Sequence, residues 1–267
     1  MKIQYASDLH LEFTSNSEYI QQNPFQVTGD ILILAGDIHI INDDKMLENP
    51  FWDWASKNYQ QVIIAYGNHE FYKSLDLSSM KDNYKFKIRD NVYYYYNSVI
   101  SINEDIDIIV STLWSYINPK NEYSCVMGVN DFNLIKYDGQ KLTADIFNAE
   151  HKKCLEFVKK SLNESKAKIK IVVTHHVPSK LLIAEEHKNS DLNDAFTVDL
   201  TDYIKKCDAK YWIYGHSHRN INKKIGKTYC VCNQMGYISC EENVNFSRDV
   251  NIDLSKNDEK DKKCIII

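Results

Sequence analysis

The chain of 267 residues carries 32 Lys and Arg against 37 Asp and Glu, a net charge of −5, with 43% apolar residues. That balance fits one large globular domain and gives no broad basic footprint for nucleic acid. No apolar run approaches the roughly 18 residues a membrane span needs, and the start turns polar too soon for a signal peptide.

In chain order, residues 2–6 and 31–35 read as buried strands, and 62–66 follows after a helix near 44–58. Residues 92–101 and 106–113 read as consecutive strands forming a hairpin-like pair. The stretch 114–140 has no clean period and reads as loop or cap. From Thr143 to Leu162 apolar residues such as Phe147, Cys154, Val158 and Leu162 recur at helical spacing. A strand at 169–173, a polar loop at 184–194, a helix near 198–206 and a strand at 210–214 come next. Residues 221–254 read as strands with turns at Gly226 and Gly236. The seven cysteines show no Cys-x-x-Cys spacing, which favours reduced thiols and a cytoplasmic protein. Cys230 and Cys232, two apart on one strand, share a face and are read as packing residues.

Five of the apolar runs end in ligand-type side chains. The first runs into Asp8 and His10, the second into Gly36-Asp37, the third into Gly67-Asn68-His69-Glu70. The fourth ends at His175-His176 and the fifth at Gly215-His216-Ser217-His218. In open α/β sheets the ligand crevice lies beyond the carboxyl ends of the strands. Taken singly, each has a bland reading: Gly-Asp and Gly-Asn are good turn chemistry, and paired histidines often serve structure. Taken together, five strand ends carrying Asp, Asn and His point to one metal site built from distant segments.

The order of these blocks resembles the calcineurin-like metallophosphoesterase superfamily: Asp8-x-His10, Gly36-Asp37, Gly67-Asn68-His69-Glu70, His175, and Gly215-His216-x-His218. The resemblance runs from Lys2 to about Leu254 and includes Asn233 to Tyr237, similar to the family's closing strand and turn. It implies an α/β fold in which two mixed β-sheets pack as a central sandwich with flanking helices. It also implies two divalent metal ions (Mn, Fe, Zn or Co) about 3.5–4 Å apart, bridged by Asp37. Asp8, His10 and His218 would hold the first, and Asn68, His175 and His216 the second. A hydroxide between the ions would attack phosphorus, and His69, the catalytic residue, would protonate the leaving group or stabilise the equatorial oxygens.

Around this set, His176 is expected beside a ligand or facing substrate, and Glu70 is expected to orient its neighbours. His39 lies near the site by sequence, with a solvent-facing position as the alternative. Arg219 reads either as a phosphate contact or as a surface arginine. The leading reading is a phosphomonoesterase acting on a phosphorylated small molecule or protein, with 114–140 and 180–197 shaping its pocket. The alternatives are a phosphodiesterase acting on cyclic nucleotides or nucleic acid, and a catalytically silent protein-binding scaffold. The net acidity weighs against nucleic acid, and scaffold members depart from the ligand pattern that stands complete here. The domain is placed at 1–254, followed by a charged tail at 255–267 that ends in a Cys264-a-a-X tetrapeptide. Membrane contact is expected only if Cys264 is prenylated.

Overall fold

The computed structural model describes residues 1–41, 45–73 and 75–255; the Cys264 motif lies outside them. In chain order the elements begin with β1 (Lys2–Ala6), α1 (Thr14–Gln22), β2 (Ile31–Leu34), α2 (Pro50–Asn58) and β3 (Gln61–Ala65). Then come β4 (Tyr84–Arg89), β5 (Val92–Tyr96), β6 (Ser98–Asn103) and β7 (Ile106–Ser111). The segment read as loop or cap holds α3 (Glu122–Gly128), α4 (Asp131–Leu134) and a small hairpin, β8 (Lys136–Tyr137) and β9 (Gln140–Lys141). The remainder is α5 (Ala144–Glu164), β10 (Ile169–Thr174), α6 (Asn193–Phe196), α7 (Thr201–Ile204), β11 (Tyr211–Ile213), β12 (Lys223–Ile225), β13 (Thr228–Val231) and β14 (Asn251–Asp253).

Two six-stranded mixed sheets form the sandwich, in the orders β14-β1-β2-β3-β5-β4 and β12-β13-β11-β10-β7-β6. β1, β2, β3 and β5 run parallel in the first, and β7, β10, β11 and β13 in the second; antiparallel strands close the edges. The period-2 alternation of strand side chains builds the layers. Ile31, Ile33 and Ala35 face inward against Ile108, Val110, Ile171 and Val173 of the other sheet. Their neighbours Leu32 and Leu34 face outward, into a core shared with Phe51 and Trp52 of α2. On the opposite outer face Val158 and Leu162 of α5 pack with Trp212, Cys230 and Cys232. Both cysteines are therefore packing residues, and they are free thiols. Among the described residues, no helix is long and apolar enough to cross a membrane.

Three boundaries depart from the expectations. The run 92–101 is two strands in different sheets: β5 pairs parallel with β3, whereas β6 forms the hairpin with β7. The chain switches sheets at Asn97, whose φ of 40° lies in the left-handed region that Asn tolerates. Its amide donates to Asp82 Oδ1 at 2.9 Å and its carbonyl accepts from the Ser111 hydroxyl at 2.7 Å, which holds the switch in place. The helix expected from 44 starts at Pro50, because Asn49 Oδ1 caps Phe51 N at 3.0 Å and proline suits the first turn. The helix expected over 198–206 is the single turn α7, entered where Asp199 Oδ1 accepts from Thr201 N at 3.2 Å.

Because the central strands of each sheet are parallel, the loops after β1, β2, β3, β10 and β11 emerge at one end of the sandwich. All five carry the ligand-type residues.

Candidate metal centre

The loops are first fastened to one another through the backbone. Asp8 N donates to Gly36 O and His10 N to Asp37 O, each at 3.0 Å. The closing segment joins them: Ser7 N donates to Asn233 O, and Gly236 N to Asp8 O. Glu70, fully buried, accepts from Asp37 N at 3.0 Å, Ile38 N at 2.8 Å and Gly67 N at 2.7 Å, so one carboxylate ties the second strand end to the third. Burial and the Asp37 charge push its pKa up, against the pull of those N–H donors.

This fastening is tight enough to dictate backbone chemistry. A Cβ at Gly67 would stand 2.1 Å from Asp37 Oδ1, and at Gly36, where φ is +88°, 2.5 Å from His175 Nδ1. Asp8, His10, Asp37, His216 and His218 all have φ between 47° and 76°. Such conformations cost L-residues roughly 1–2 kcal/mol each. Strain of that kind collects where surrounding structure holds functional groups in place.

The structure brings all eight sequence-selected residues together, in two cradles that share Asp37. Asp8, His10 and His218 form one and Asp37, His175 and His216 the other, each set with ligand atoms within 4.8 Å of one another. Asn68 Oδ1 joins the second at 2.9 Å from His175 Nε2. Asp37 presents Oδ1 to His175 Nε2 at 3.3 Å and Oδ2 to His10 Nε2 at 3.9 Å, one oxygen for each cradle. His10, Asp37 and His69 make a third such group.

Whether these residues suit a cation is decided by where their hydrogens go. His10 Nδ1 faces Glu12 Oε1 at 3.2 Å, His218 Nδ1 faces Glu242 Oε2 at 2.6 Å and His175 Nδ1 faces the Ala35 carbonyl at 2.9 Å. Each acceptor fixes the ring proton on Nδ1 and leaves a lone pair on Nε2. His10 Nε2 and His218 Nε2 then face each other at 3.0 Å, and His175 Nε2 faces both Asn68 Oδ1 and His216 Nδ1. Lone pairs aimed at lone pairs and carboxylates repel unless a cation lies among them, so the donor set fits divalent ions. Where no ion sits, protons take that place. Burial pulls His175 and His218 down, but Asp37 outweighs it for the first, raising it to about 9. Asp8 and Glu242 do the same for the second, raising it to about 10.

Asn68 is oriented by residues the sequence did not single out. Asp131 Oδ1, buried, takes a hydrogen bond from Asn68 Nδ2 at 2.8 Å and another from the Tyr72 hydroxyl at 2.7 Å. A carboxylate accepts only, so the amide nitrogen must face Asp131 and the oxygen must face His175. Asp131→Asn removes that discrimination. Metal affinity measured by chelator competition is expected to fall about 10–100-fold, the usual cost of losing a group that orients a ligand, with the fold intact by circular dichroism.

Glu12 is the other omission. Its Oε1 also accepts from His69 Nδ1 at 2.9 Å. Burial pushes this carboxyl up, but the bonds from His10 and His69 outweigh it and hold its pKa at about 2. The bond turns His69 Nε2 toward the pocket, 4.0 Å from Asp37 Oδ2 and 3.3 Å from the Tyr237 hydroxyl. Burial lowers His69, yet Asp37 and Glu12 raise it to about 8. An alternating Asp8-x-His10-x-Glu12 spacing was the available signal.

Other nearby residues divide. His176 is fully buried against His216 (ring centroids 4.2 Å apart) and Trp114, outside the pocket lining, so it does not face substrate. His39 is buried, not solvent-facing, with Nδ1 3.0 Å from Ile40 O. Arg219 lines the pocket rim, its Nε donating to Glu186 Oε1 at 2.8 Å. The pocket over the cluster measures about 310 Å³; Gly128 to Asp131 form one wall, Tyr237 and Glu242 another.

Residues 1–220 match the family of calcineurin-like phosphoesterases. The chain belongs to that family, and it is accordingly a metal-dependent phosphoesterase, a hydrolase of phosphate esters that uses divalent metal ions. It is 29% identical over 275 residues to the uncharacterized protein L509 of Acanthamoeba polyphaga mimivirus, covering 94% of this chain and 96% of that one. Its fold is similar to the phosphopantetheinyl hydrolase PptH of Mycobacterium tuberculosis, with a TM-score of 0.66, 15% identity and coverage of 92% and 94% of the two chains. A dimetal phosphatase from Danio rerio is similar at a TM-score of 0.51 and 12% identity, over 88% of this chain and 87% of the other.

Proposed function

We propose that the protein is a phosphomonoesterase for a phosphorylated small molecule or protein. In this reading Asp8, His10 and His218 hold one divalent ion, Asn68, His175 and His216 hold a second, and Asp37 serves both. The observation that carries it is the inward convergence of lone pairs from seven buried or nearly buried side chains. Ions held there neutralise charge on phosphoryl oxygens and acidify a water nucleophile.

The chain's own residues supply the rest. Glu12 keeps the Nδ1 proton of His69 engaged, so that Nε2 carries the proton the leaving oxygen needs. The Glu12 carboxylate, 2.9 Å away, stabilises the imidazolium before transfer. With Asp37 engaged as a ligand its charge would no longer serve His69, and Glu12, bonded to Nδ1, is the group left to keep that ring protonated. Tyr237, packed on the His10 ring at 4.6 Å between centroids, closes the site on that side. Arg219 stands at the rim with Nη1 held by the His218 carbonyl at 2.9 Å, and release of Nε from Glu186 turns the rest of its guanidinium to a phosphate or acidic group.

A second reading, a phosphodiesterase, is favoured by the space beside the cluster. The polar pocket meets a second, apolar pocket at His187, Phe196 and Ser217, which leaves room for another ester substituent. The activity named for the mycobacterial neighbour, hydrolysis of a phosphopantetheinyl group, agrees with that alternative.

The test uses chelated protein refilled with Mn²⁺, assayed on 4-nitrophenyl phosphate beside bis(4-nitrophenyl) phosphate. Metal-dependent turnover that favours the monoester supports the proposal, and preference for the diester selects the second reading. Bound metal with no turnover of either ester, or of other phosphate esters, would leave a scaffold.

A further inference from the structure

The second pocket has a chemistry of its own. It encloses about 190 Å³ and takes its walls from Ile183, Ala184, Leu192 and Phe196. Among its lining residues there is no Asp, Glu, Lys or Arg. Three of its five polar side chains are engaged: Asn193 Nδ2 donates to His187 O at 2.6 Å, Ser190 Oγ accepts from Leu192 N at 3.2 Å, and Ser217 Oγ accepts from Gln234 Nε2 at 3.0 Å; the His187 imidazole, at the junction with the metal-centre pocket, and the Thr197 hydroxyl are the other two. A sugar or a second phosphate entering here would lose its hydration and meet few partners in return, since the walls are apolar and carry no Asp, Glu, Lys or Arg. An alkyl or aryl group would lose nothing.

Two further observations tie the pocket to the metal centre. The Phe196 ring stacks on His216, with centroids 4.7 Å apart and planes 25° apart, so the apolar wall begins on a candidate ligand. The loop that forms the pocket is also braced against the cap. Asp194 Oδ2 accepts from Asn118 N at 3.1 Å and Asn121 Nδ2 at 2.8 Å, and Leu192 Cδ2 lies only 2.8 Å from where a Cβ on Gly128 would stand. The cavity is thus preformed, which spares a ligand the cost of ordering it.

Resting on the phosphoesterase reading, we infer that this pocket receives an apolar alkyl or aryl substituent of the ester whose phosphorus sits at the metal centre. The substrate class is a phosphate ester with a hydrophobic arm, set apart from sugar phosphates and nucleotides.

Mn²⁺-loaded enzyme is tested on n-alkyl phosphates from ethyl to hexyl and on alkyl 4-nitrophenyl phosphates of the same lengths, with glycerol phosphate as polar control. The value of kcat/KM is expected to rise about fourfold per methylene until the pocket is full, the scale of one buried CH₂. Glycerol phosphate should fall below the ethyl ester. Ala184→Phe, which fills the pocket, and Leu192→Ser, which removes a wall, are each expected to flatten the hexyl-to-ethyl ratio at least tenfold. Turnover with a flat length profile in the unaltered enzyme overturns the inference alone. A rising profile that both folded variants keep places the arm elsewhere and also overturns it. No turnover of any ester, with metal bound, removes the phosphoesterase reading and this inference together.

Discussion

Asp37→Asn is expected to abolish turnover by about 10³-fold or more in kcat/KM, because several kcal/mol of charge stabilisation depend on ions at both cradles. One oxygen of Asp37 faces His175 and the other faces His10, so this carboxylate is placed to serve both groups. Burial pushes the carboxyl up, but His175, His69 and His10 outweigh it and hold it well below the usual range; the group is a charge at any working pH. Asparagine keeps the shape and the bond from His69 N to Oδ1, removes the negative charge, and turns one acceptor into a donor. An N–H aimed at either cradle repels a cation. Metal content by plasma mass spectrometry should drop with activity, while circular dichroism stays unchanged. An Asp37→Asn protein that retains its metal and half its activity would show that the cradles do not share this residue.

The strand ends were legible in the sequence because a parallel sheet leaves a plain signature: an apolar run that stops abruptly at a ligand, with a Gly before it in three of the five. Gly36 and Gly67 carried part of that signal for a reason the structure makes explicit, since any side chain there would collide with a site residue. Glu12 and Asp131 were not legible. Each matters through a hydrogen bond to a partner 57 or 63 residues away, and local spacing does not encode such a bond. The split at Asn97 hid for the opposite reason. Tyr94 and Tyr96 face the outer core and Val99 and Ile100 look like their continuation, so only the left-handed residue between them marks the change of sheet.

His69→Gln is expected to separate proton transfer from metal binding. Its Nε2 lies toward the pocket and its Nδ1 is spent on Glu12, an arrangement that delivers a proton and does not primarily build a cradle. Removing a general acid of this type typically costs about 10²–10⁴-fold. That cost must depend on the leaving group. An alkoxide needs the proton before it can depart, whereas 4-nitrophenolate carries its own charge, so kcat on alkyl esters should fall by the full factor and on 4-nitrophenyl phosphate by much less. Glu12→Gln should follow the same pattern at smaller amplitude, since the ring keeps its place but loses the charge that stabilises its protonated form. Metal content of His69→Gln should stay close to that of the unaltered protein, whereas Glu12→Gln, which also weakens the acceptor behind His10, should bind metal less tightly. If His69→Gln instead loses metal, or slows both kinds of ester equally, His69 belongs with His10 and Asp37 as a ligand, and the proton must come from another group at the pocket wall. The Tyr237 hydroxyl, 3.3 Å from Nε2, is placed to provide it.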